Sequence, residues 1–299
     1  MFKKMKTFKL NFLVLVNILL LQSSLLAQIP LSIEAYDTRI KGCILDSAQY
    51  LFKYKLSFVS DTLKKDTLIN ELDLLVGNNY SKFFDDLYLR EKFINKYNKL
   101  PMGIRQNKDG EGLAATEIYK NNVRKIMTVT VMVRSNPYIY EEKLRNQIWT
   151  IGRDKKWKNG YMCQKATTTY LGRKYTAWFT PDIPFSNGPW KFGGLPGLIL
   201  QVYDSKMQYY FDCIGIQQLK QKIPIVKYND HYSKTKRKLL NNIIRNLHIH
   251  FVQTIQSMLA PNSSIMFDYS GYDEPITISN STNSNLLNIS FPYNPIELE

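Results

Sequence analysis

The chain has 299 residues, and its 40 Lys and Arg against 25 Asp and Glu give a formal net charge of +15 at pH 7. Hydrophobic residues make up 44% and charged residues 22%, a balance that excludes a disordered chain, a collagen-like chain and a polytopic membrane protein. The 3 cysteines exclude a disulfide-dense scaffold, and the length allows one large domain or two small ones.

Residues 1–27 have the pattern of a secretory signal peptide. Four lysines precede an apolar run over residues 10–27, and the small Ala27 comes before the polar Gln28. We expect cleavage between Ala27 and Gln28, which predicts an exported protein, periplasmic or associated with the outer membrane. Residues 28–299 would then form a single domain. The alternative is a retained anchor, because about 18 apolar residues can just span a bilayer.

Export changes the interpretation of the basic charge. Outside the cytoplasm, a basic surface is expected to meet anionic lipid or polysaccharide and not nucleic acid. The partners that stay open are an envelope protein and an apolar or anionic envelope ligand. Disulfide bonds are also permitted in that compartment.

Two strands are predicted near the start of the domain, at residues 50–58 and 68–76, because apolar and polar side chains alternate there. Residues 81–97 place Phe, Leu, Ile and Tyr side chains at near-helical spacing, which predicts a helix. Residues 98–115 contain proline and several glycines and predict a loop.

A longer series of strands begins at residues 126–133, and one strand is expected around Trp149. Asn159 and Gly160 predict a tight hairpin turn, because both residues tolerate a positive φ. Strands about ten residues apart with no intervening helices predict one curved antiparallel sheet, a half-barrel-like meander in a β-rich α+β fold. The further strands are expected at residues 161–170, 174–180, 198–204 and 207–216.

The C-terminal third predicts a helix packed on this sheet. From residue 233 to about residue 259, Leu, Ile and Phe side chains form one apolar stripe, with Ser233 as a candidate cap. Pro261 would end the helix. Residues 262–285 are rich in Asn and Ser and predict a loop.

The segment at residues 181–197 contains four prolines and four glycines. Proline lacks an N–H group and glycine permits a positive φ, so the segment is expected to be an irregular crossing between two strands. A phosphate-binding loop is excluded, because no Gly-Lys-Ser/Thr follows and no helix begins there. A rigid structural corner and an exposed ligand-binding rim both remain open.

Residues 194–199, at the end of this segment and the start of the next expected strand, read GLPGLI. Together with GYMCQKATT at 160–168 and GRKYTAW at 172–178, this motif makes the chain resemble the GLPGLI family of exported proteins, found chiefly in Bacteroidota. The resemblance implies a secreted or periplasmic protein with no agreed activity, cofactor or catalytic residue. The expected sheet is also similar, in architecture alone, to the open half-barrels of bacterial lipoprotein carriers. The motif residues are Gly194, Leu195, Pro196, Gly197, Leu198 and Ile199.

Histidine chemistry is not predicted. The three histidines are His231, His248 and His250, and the last two point about 200° apart on a helix, so they cannot bind one metal ion together. We predict no catalytic residue, no metal site and no cofactor.

Two classes of function remain. The first is a non-enzymatic binding or interaction module that uses a sheet face or the Gly/Pro-rich rim at 181–197. The second is an enzyme or an anion-binding protein with a polar site built from Lys165, Arg173, Lys191 and Asp204. Convergence of those four side chains in one concave pocket would favour the second class. The candidate ligand-binding residues are Lys165, Arg173, Trp178, Trp190, Lys191 and Asp204.

One disulfide is predicted, between Cys163 and Cys213. Both lie in expected strands of one curved sheet, whereas Cys43 lies outside any strong strand pattern. A disulfide requires Cα atoms roughly 4.4–6.8 Å apart. The alternative is that Cys163 and Cys213 are buried free thiols.

Overall fold

A computed structural model describes residues 42–63, 66–85, 113, 115–133, 136–228, 231–267, 276–279, 290–291 and 293–298. Most of these residues form one curved sheet of twelve strands. The twelve strands are β1 (Gly42–Asp61), β2 (Asp66–Val76), β3 (Tyr80–Phe84), β4 (Thr116–Asn121), β5 (Ile126–Val133), β6 (Asn136–Lys143), β7 (Thr150–Lys158), β8 (Tyr161–Tyr170), β9 (Arg173–Thr180), β10 (Leu198–Asp204), β11 (Tyr209–Tyr228) and β12 (Ser233–Lys234).

Strand β1 is the centre of the sheet. Its Phe52, Tyr54, Leu56 and Phe58 side chains are buried in the main core, while the exposed Lys53 lies between them. This alternation confirms the sequence prediction, although β1 extends well beyond the predicted 50–58. β1 pairs antiparallel with β2 on one side and with β11 on the other.

The order of the strands differs from a simple meander. Along the sheet the order is β12-β6-β5-β4-β3-β2-β1-β11-β10-β9-β8-β7, and only the β12–β6 pair is parallel. Strands β6 and β7 are consecutive in sequence but lie ten strand positions apart, which is about 48 Å in a flat sheet. The connection from residue 143 to residue 150 can span at most about 25 Å. The sheet must therefore curl strongly to bring its two halves together.

The segment at residues 181–197 fills the inside of this curl. Its Trp190 and Phe192 are buried to 1% and 0% exposure. The Phe192 ring lies 4.8 Å from that of Tyr175 on β9 and 6.2 Å from that of Phe211 on β11. On the other half of the sheet, Lys120 of β4 donates a hydrogen bond of 2.6 Å to the Phe192 carbonyl. The segment therefore joins both halves of the sheet as part of the core.

Glycine is required at two positions that determine the course of the chain, Gly160 and Gly197. Asn159 and Gly160 have φ angles of 51° and 80°, which confirms the predicted hairpin turn between β7 and β8. Gly197 has a φ of 145°, and a Cβ atom built on it would lie 2.0 Å from the Thr180 carbonyl oxygen. Only glycine allows this close approach of segment 181–197 to the end of β9.

The helix predicted at residues 81–97 was wrong where the structure describes it, because residues 80–84 form strand β3. Residues 86–97 of that prediction lie outside the described residues, and so do residues 98–112 of the predicted loop. Phe83 faces the main core, whereas Lys82 on the opposite face is covered by Val226 and Tyr228 of β11. Because both faces are buried, the alternation that marks a half-exposed strand is missing.

The C-terminal region confirms the predicted helical segment and shortens it. Helix α1 spans Arg237–Ile249 and helix α2 spans Phe251–Met258, with a break at His250. Leu240, Leu247, Phe251, Val252 and Ile255 belong to the main core, so the helices pack on the sheet. Within the described ranges, neither helix is long and apolar enough to cross a membrane.

Two expectations at the ends of this helix were wrong. Ser233 does not cap a helix, because it lies in strand β12, which pairs with β6. The region predicted as a loop, 262–285, contains strands β13 (Ser264–Phe267) and β14 (Ile276–Ser279), which pair antiparallel. Ile278 is fully buried in the main core, so its burial stabilises this small hairpin despite the polar composition around it.

Candidate functional site

Arg173 and Asp204 form a buried ion pair. Their side chains are only 4% and 2% exposed, and an Nη1–Oδ2 distance of 3.0 Å joins them. The other Asp204 oxygen accepts hydrogen bonds from the backbone N–H groups of Gln208 and Tyr209. Arg173 also donates to the Gln208 and Asn294 side chains and to the Pro295 carbonyl. Both groups are therefore fully engaged within the protein.

Lys191 has a comparable set of partners at a neighbouring position. Its Nζ lies 2.6 Å from Glu297 and 3.1 Å from Glu142, and it donates a 2.9 Å hydrogen bond to the Tyr140 hydroxyl. Burial lowers the pKa of Lys191, but Tyr140, Glu297 and Glu142 outweigh this effect and hold the pKa above its usual value. Lys191 is therefore a permanently charged, buried group.

These two clusters hold the same piece of chain, residues 293–298, which we call the C-terminal strap. Arg173 binds Asn294 and Pro295, and Lys191 binds Glu297. Asn294 also donates to the Val59 carbonyl over 2.6 Å, and the Leu298 N–H group donates to the Leu171 carbonyl over 3.0 Å. Arg173 and Lys191, two of the predicted polar residues, thus fix the strap on the sheet.

Lys165 lies apart from these clusters. It is partly exposed on β8 and pairs with the exposed Asp154 at 2.9 Å. In the β8–β9 register it lies opposite Trp178, whose neighbours Ala177 and Phe179 face the core. Lys165 and Trp178 are therefore on the outer face of the sheet, whereas Arg173 is on the inner face. The four predicted polar residues do not converge in one pocket, and the condition set for the enzyme hypothesis is not met.

The two candidate tryptophans also have different environments. Trp190 is 1% exposed and packs against Tyr170 and Phe192, so a ligand cannot reach it. Trp178 is half-buried on the outer face, and the Lys156 ammonium lies 4.3 Å from the centre of its ring. Among the described residues, no hydrogen-bond partner is found for the Trp178 indole N–H.

Trp178 is the centre of a surface that the sequence did not reveal. The rings of Tyr203 and Tyr210, half-buried on β10 and β11, stack 5.6 Å apart beside it. Gln201 bridges this surface by donating to the Tyr210 hydroxyl and accepting from Lys156. Only the cross-strand register brings Gln201, Tyr203 and Tyr210 next to Trp178, so no sequence signal could have located these three residues. We call this surface the outer aromatic face, and its residues are Lys156, Lys165, Trp178, Gln201, Tyr203 and Tyr210.

Lys120 is a second functional candidate that sequence reasoning missed. Its side chain is buried on the inner side of β4, and its ammonium donates to Asn187 Oδ1 at 3.0 Å, Gly188 O at 3.3 Å and Phe192 O at 2.6 Å. Burial without a carboxylate among these partners lowers the pKa of Lys120 to about 7. Its three acceptors all belong to segment 181–197, so Lys120 is an anchor for that segment.

The free energy of unfolding of the wild type, relative to a Lys120→Met variant, is expected to rise as the pH increases from about 7 to 10.5. The pKa of Lys120 is about 7 in the folded protein and 10.5 in the unfolded chain, so the unfolded chain binds more protons in this interval. Below pH 7 both states are protonated and the difference stays constant. Urea denaturation of both proteins at about pH 6, 8 and 10 measures the effect. A difference that does not change with pH would contradict it.

The predicted disulfide is not present in the structure. Cys163 and Cys213 are both free and buried, and Cys43 is free and exposed. Cys163 lies on β8 and Cys213 on β11, with β9 and β10 between them, which separates the Cα positions by about 14 Å along the sheet. Burial raises the pKa of the Cys213 thiol to about 12, so this thiol is not a reactive nucleophile.

The candidate residues differ in their exposure and in their pairing. Within the part of the chain that the structure describes, no group of three His, Cys, Asp or Glu side chains is arranged to hold a metal ion. Arg173, Lys191 and Asp204 are buried and already paired. Trp178, Tyr203 and Tyr210 of the outer aromatic face are partly exposed, and their rings can stack against a ligand.

Comparisons with known proteins give a family without an assigned function. A family described as "Protein of unknown function (Porph_ging)" matches residues 172–201, which contain β9 and segment 181–197. No curated protein matches the chain. Two structures of PNGF-II, in space groups C2 and P21, are similar to it with TM-scores of 0.45 and identities of 13% and 14%. They match 74% and 77% of this chain, which spans only 34% and 38% of theirs.

Proposed function

We propose that the protein is an exported, non-enzymatic binding module of the cell envelope and belongs to the GLPGLI family. The signal-peptide pattern at residues 1–27 supports export, and the motif at residues 194–199 supports the family. The match of residues 172–201 to a family of unknown function agrees with this assignment at a coarser level. After export, the protein is located in the periplasm or associated with the outer membrane.

The outer aromatic face is the proposed binding surface. The observation that carries this assignment is the difference between the two sets of candidate residues. Arg173, Lys191 and Asp204 are buried and paired inside the fold, whereas Trp178 is partly exposed next to a stacked tyrosine pair. The Lys156 ammonium places positive charge over the Trp178 ring, and Lys165, which pairs with Asp154, lies opposite Trp178 on β8. A ligand with a flat apolar surface and an anionic group fits this arrangement.

Lys156 gives this surface a means of opening. Its ammonium covers the Trp178 ring and donates to Gln201. Burial lowers the pKa of Lys156, and the neighbouring positive charge of Lys158 lowers it further. An anionic ligand would offer Lys156 a better partner than the neutral Gln201, and movement of Lys156 toward it would expose the ring.

The test is mass spectrometry of the compounds that copurify with the full-length protein from the envelope. We expect a bound compound that is lost from a Trp178→Ala variant and retained by a Val123→Ala variant, since Val123 is 69% exposed and lies outside this surface. Circular dichroism and the melting temperature must show that both variants are folded. The same compounds in Trp178→Ala as in the wild type, or conversion of the compound to a product during incubation, would contradict the proposal.

A further inference from the structure

The hairpin of β7 and β8 exposes a tryptophan at the edge of the sheet. Trp157 is 70% exposed, whereas Trp190 is 1% exposed and Trp149 and Trp178 are partly buried. Strand β7 is the last strand in the sheet order, so in the described structure no strand pairs with its outer edge. Ile151 on the same strand is 46% exposed, and Ile148 just before it is 90% exposed. Strand β7 and the residues just before it therefore present three separate apolar side chains to solvent.

The same strand carries two cations that pair with no carboxylate among the described residues. Arg153 and Lys155 are exposed, and no ion-pair partner of either is found among the described residues. Lys156 and Lys158 instead point to the outer face, where they contact Trp178 and Asp212. Because successive side chains alternate along a strand, Lys155 and Trp157 lie together on the opposite side of the hairpin.

Protection of the sheet edge explains only part of this pattern. Lysines on an edge strand prevent it from pairing with other chains, and Arg153 and Lys155 can serve that purpose. The exposed Trp157 and the two exposed isoleucines have the opposite effect, because apolar side chains at the edge favour association with other apolar surfaces. A tryptophan beside unpaired cations is instead the combination that binds the interface of an anionic bilayer, where the indole lies at the headgroups.

We propose that the β7–β8 hairpin docks the protein on an anionic lipid surface, with Trp157 inserted among the headgroups and Arg153 and Lys155 contacting lipid phosphates. The formal charge of the chain, which is +15 in full and +11 without the four lysines of residues 1–27, favours approach to an anionic surface. This assignment goes beyond the proposed function, because it uses the opposite side of the hairpin from the outer aromatic face. A ligand on Trp178 and a membrane under Trp157 could be bound at the same time.

The test is cosedimentation of the mature protein, residues 28–299, with vesicles of phosphatidylcholine alone and of phosphatidylcholine mixed with phosphatidylglycerol. We expect binding to the anionic vesicles only, weakened by salt. Trp157→Ala should weaken this binding about tenfold, and Arg153→Gln or Lys155→Gln about fivefold each. Val123→Ala is the matched control, because Val123 is 69% exposed but lies outside the hairpin, and it should bind as the wild type does.

The insertion of Trp157 is measured with brominated lipids, which quench tryptophans located in the bilayer. They should quench the tryptophan fluorescence of the wild type but not that of the Trp157→Phe variant. Equal affinity of Trp157→Ala and Val123→Ala for anionic vesicles would overturn the proposal. Equal binding to neutral vesicles, or binding to an acidic polysaccharide such as polygalacturonate in place of the vesicles, would overturn it as well. The Trp178→Ala variant should bind vesicles normally, which separates this proposal from the preceding one.

Discussion

Replacing Gly197 by Ala is expected to lower the free energy of unfolding by about 2–6 kcal/mol, from the strained backbone and the overpacking together. The new Cβ would lie 2.0 Å from the Thr180 carbonyl oxygen, 2.6 Å from its carbonyl carbon and 2.9 Å from the Pro181 Cα atom. All three are backbone atoms, so no side chain can move aside to relieve the contact. The φ of 145° adds strain for any residue with a Cβ. Urea denaturation measures the loss.

Gly160→Ala is the control for the backbone conformation alone. Gly160 has a φ of 80°, but a Cβ built on it meets no atom within 4 Å. The expected loss is about 1–2 kcal/mol, the usual cost of a left-handed conformation for an L-residue. If Gly197→Ala cost no more than Gly160→Ala, the close packing of segment 181–197 against the end of β9 would be wrong.

Replacing Asp204 by Ala is expected to lower the free energy of unfolding by about 3–5 kcal/mol. The substitution leaves the Arg173 guanidinium, which is 4% exposed, without its carboxylate partner. It also removes the acceptor for the backbone N–H groups of Gln208 and Tyr209 at the turn into β11. Because Arg173 binds Asn294 and Pro295, the C-terminal strap should loosen as well, and limited proteolysis should release it first.

Two controls accompany this variant. Asp204→Asn keeps the shape and one acceptor oxygen but removes the charge, so its loss should be smaller than that of Asp204→Ala. Asp154→Ala breaks the exposed pair with Lys165, and its stability should stay close to that of the wild type. A loss in Asp204→Ala as small as that in Asp154→Ala would show that the buried pair does not stabilise the fold.

The strands that the sequence predicted best have one face in the core and one toward solvent. In β1, buried Phe52 and Tyr54 flank the exposed Lys53, and the alternation is visible in the letters alone. In β3, Phe83 and Phe84 are both buried, on opposite faces, so their spacing looked helical. The pairing of β1 with β11 could not be predicted, because it depends on contacts across the whole length of the chain.

For the candidate site, the sequence indicated which residues are unusual but not where they lie in the fold. Arg173, Lys191 and Asp204 were correctly singled out as unusual, and all three are buried. The strap residues that bind Arg173 and Lys191 lie more than 100 residues away in the sequence, so a structural role of these two residues could not be distinguished from a binding site. For the outer aromatic face, Trp178 was predicted, but Tyr203 and Tyr210 were missed because their stacking depends on the register of β10 and β11.

The pairing of β1 with β11 has a consequence for how the chain acquires its fold. Phe58 pairs with Tyr209 and Gly42 with Tyr228, so roughly 150 to 190 residues separate the partners. At the usual rate of synthesis, the first strand would wait on the order of ten seconds or more for its partner. Such distant pairings are formed slowly during folding. Until then, one edge of β1 carries unpaired N–H and C=O groups, and this edge is where a nascent chain is most exposed to aggregation.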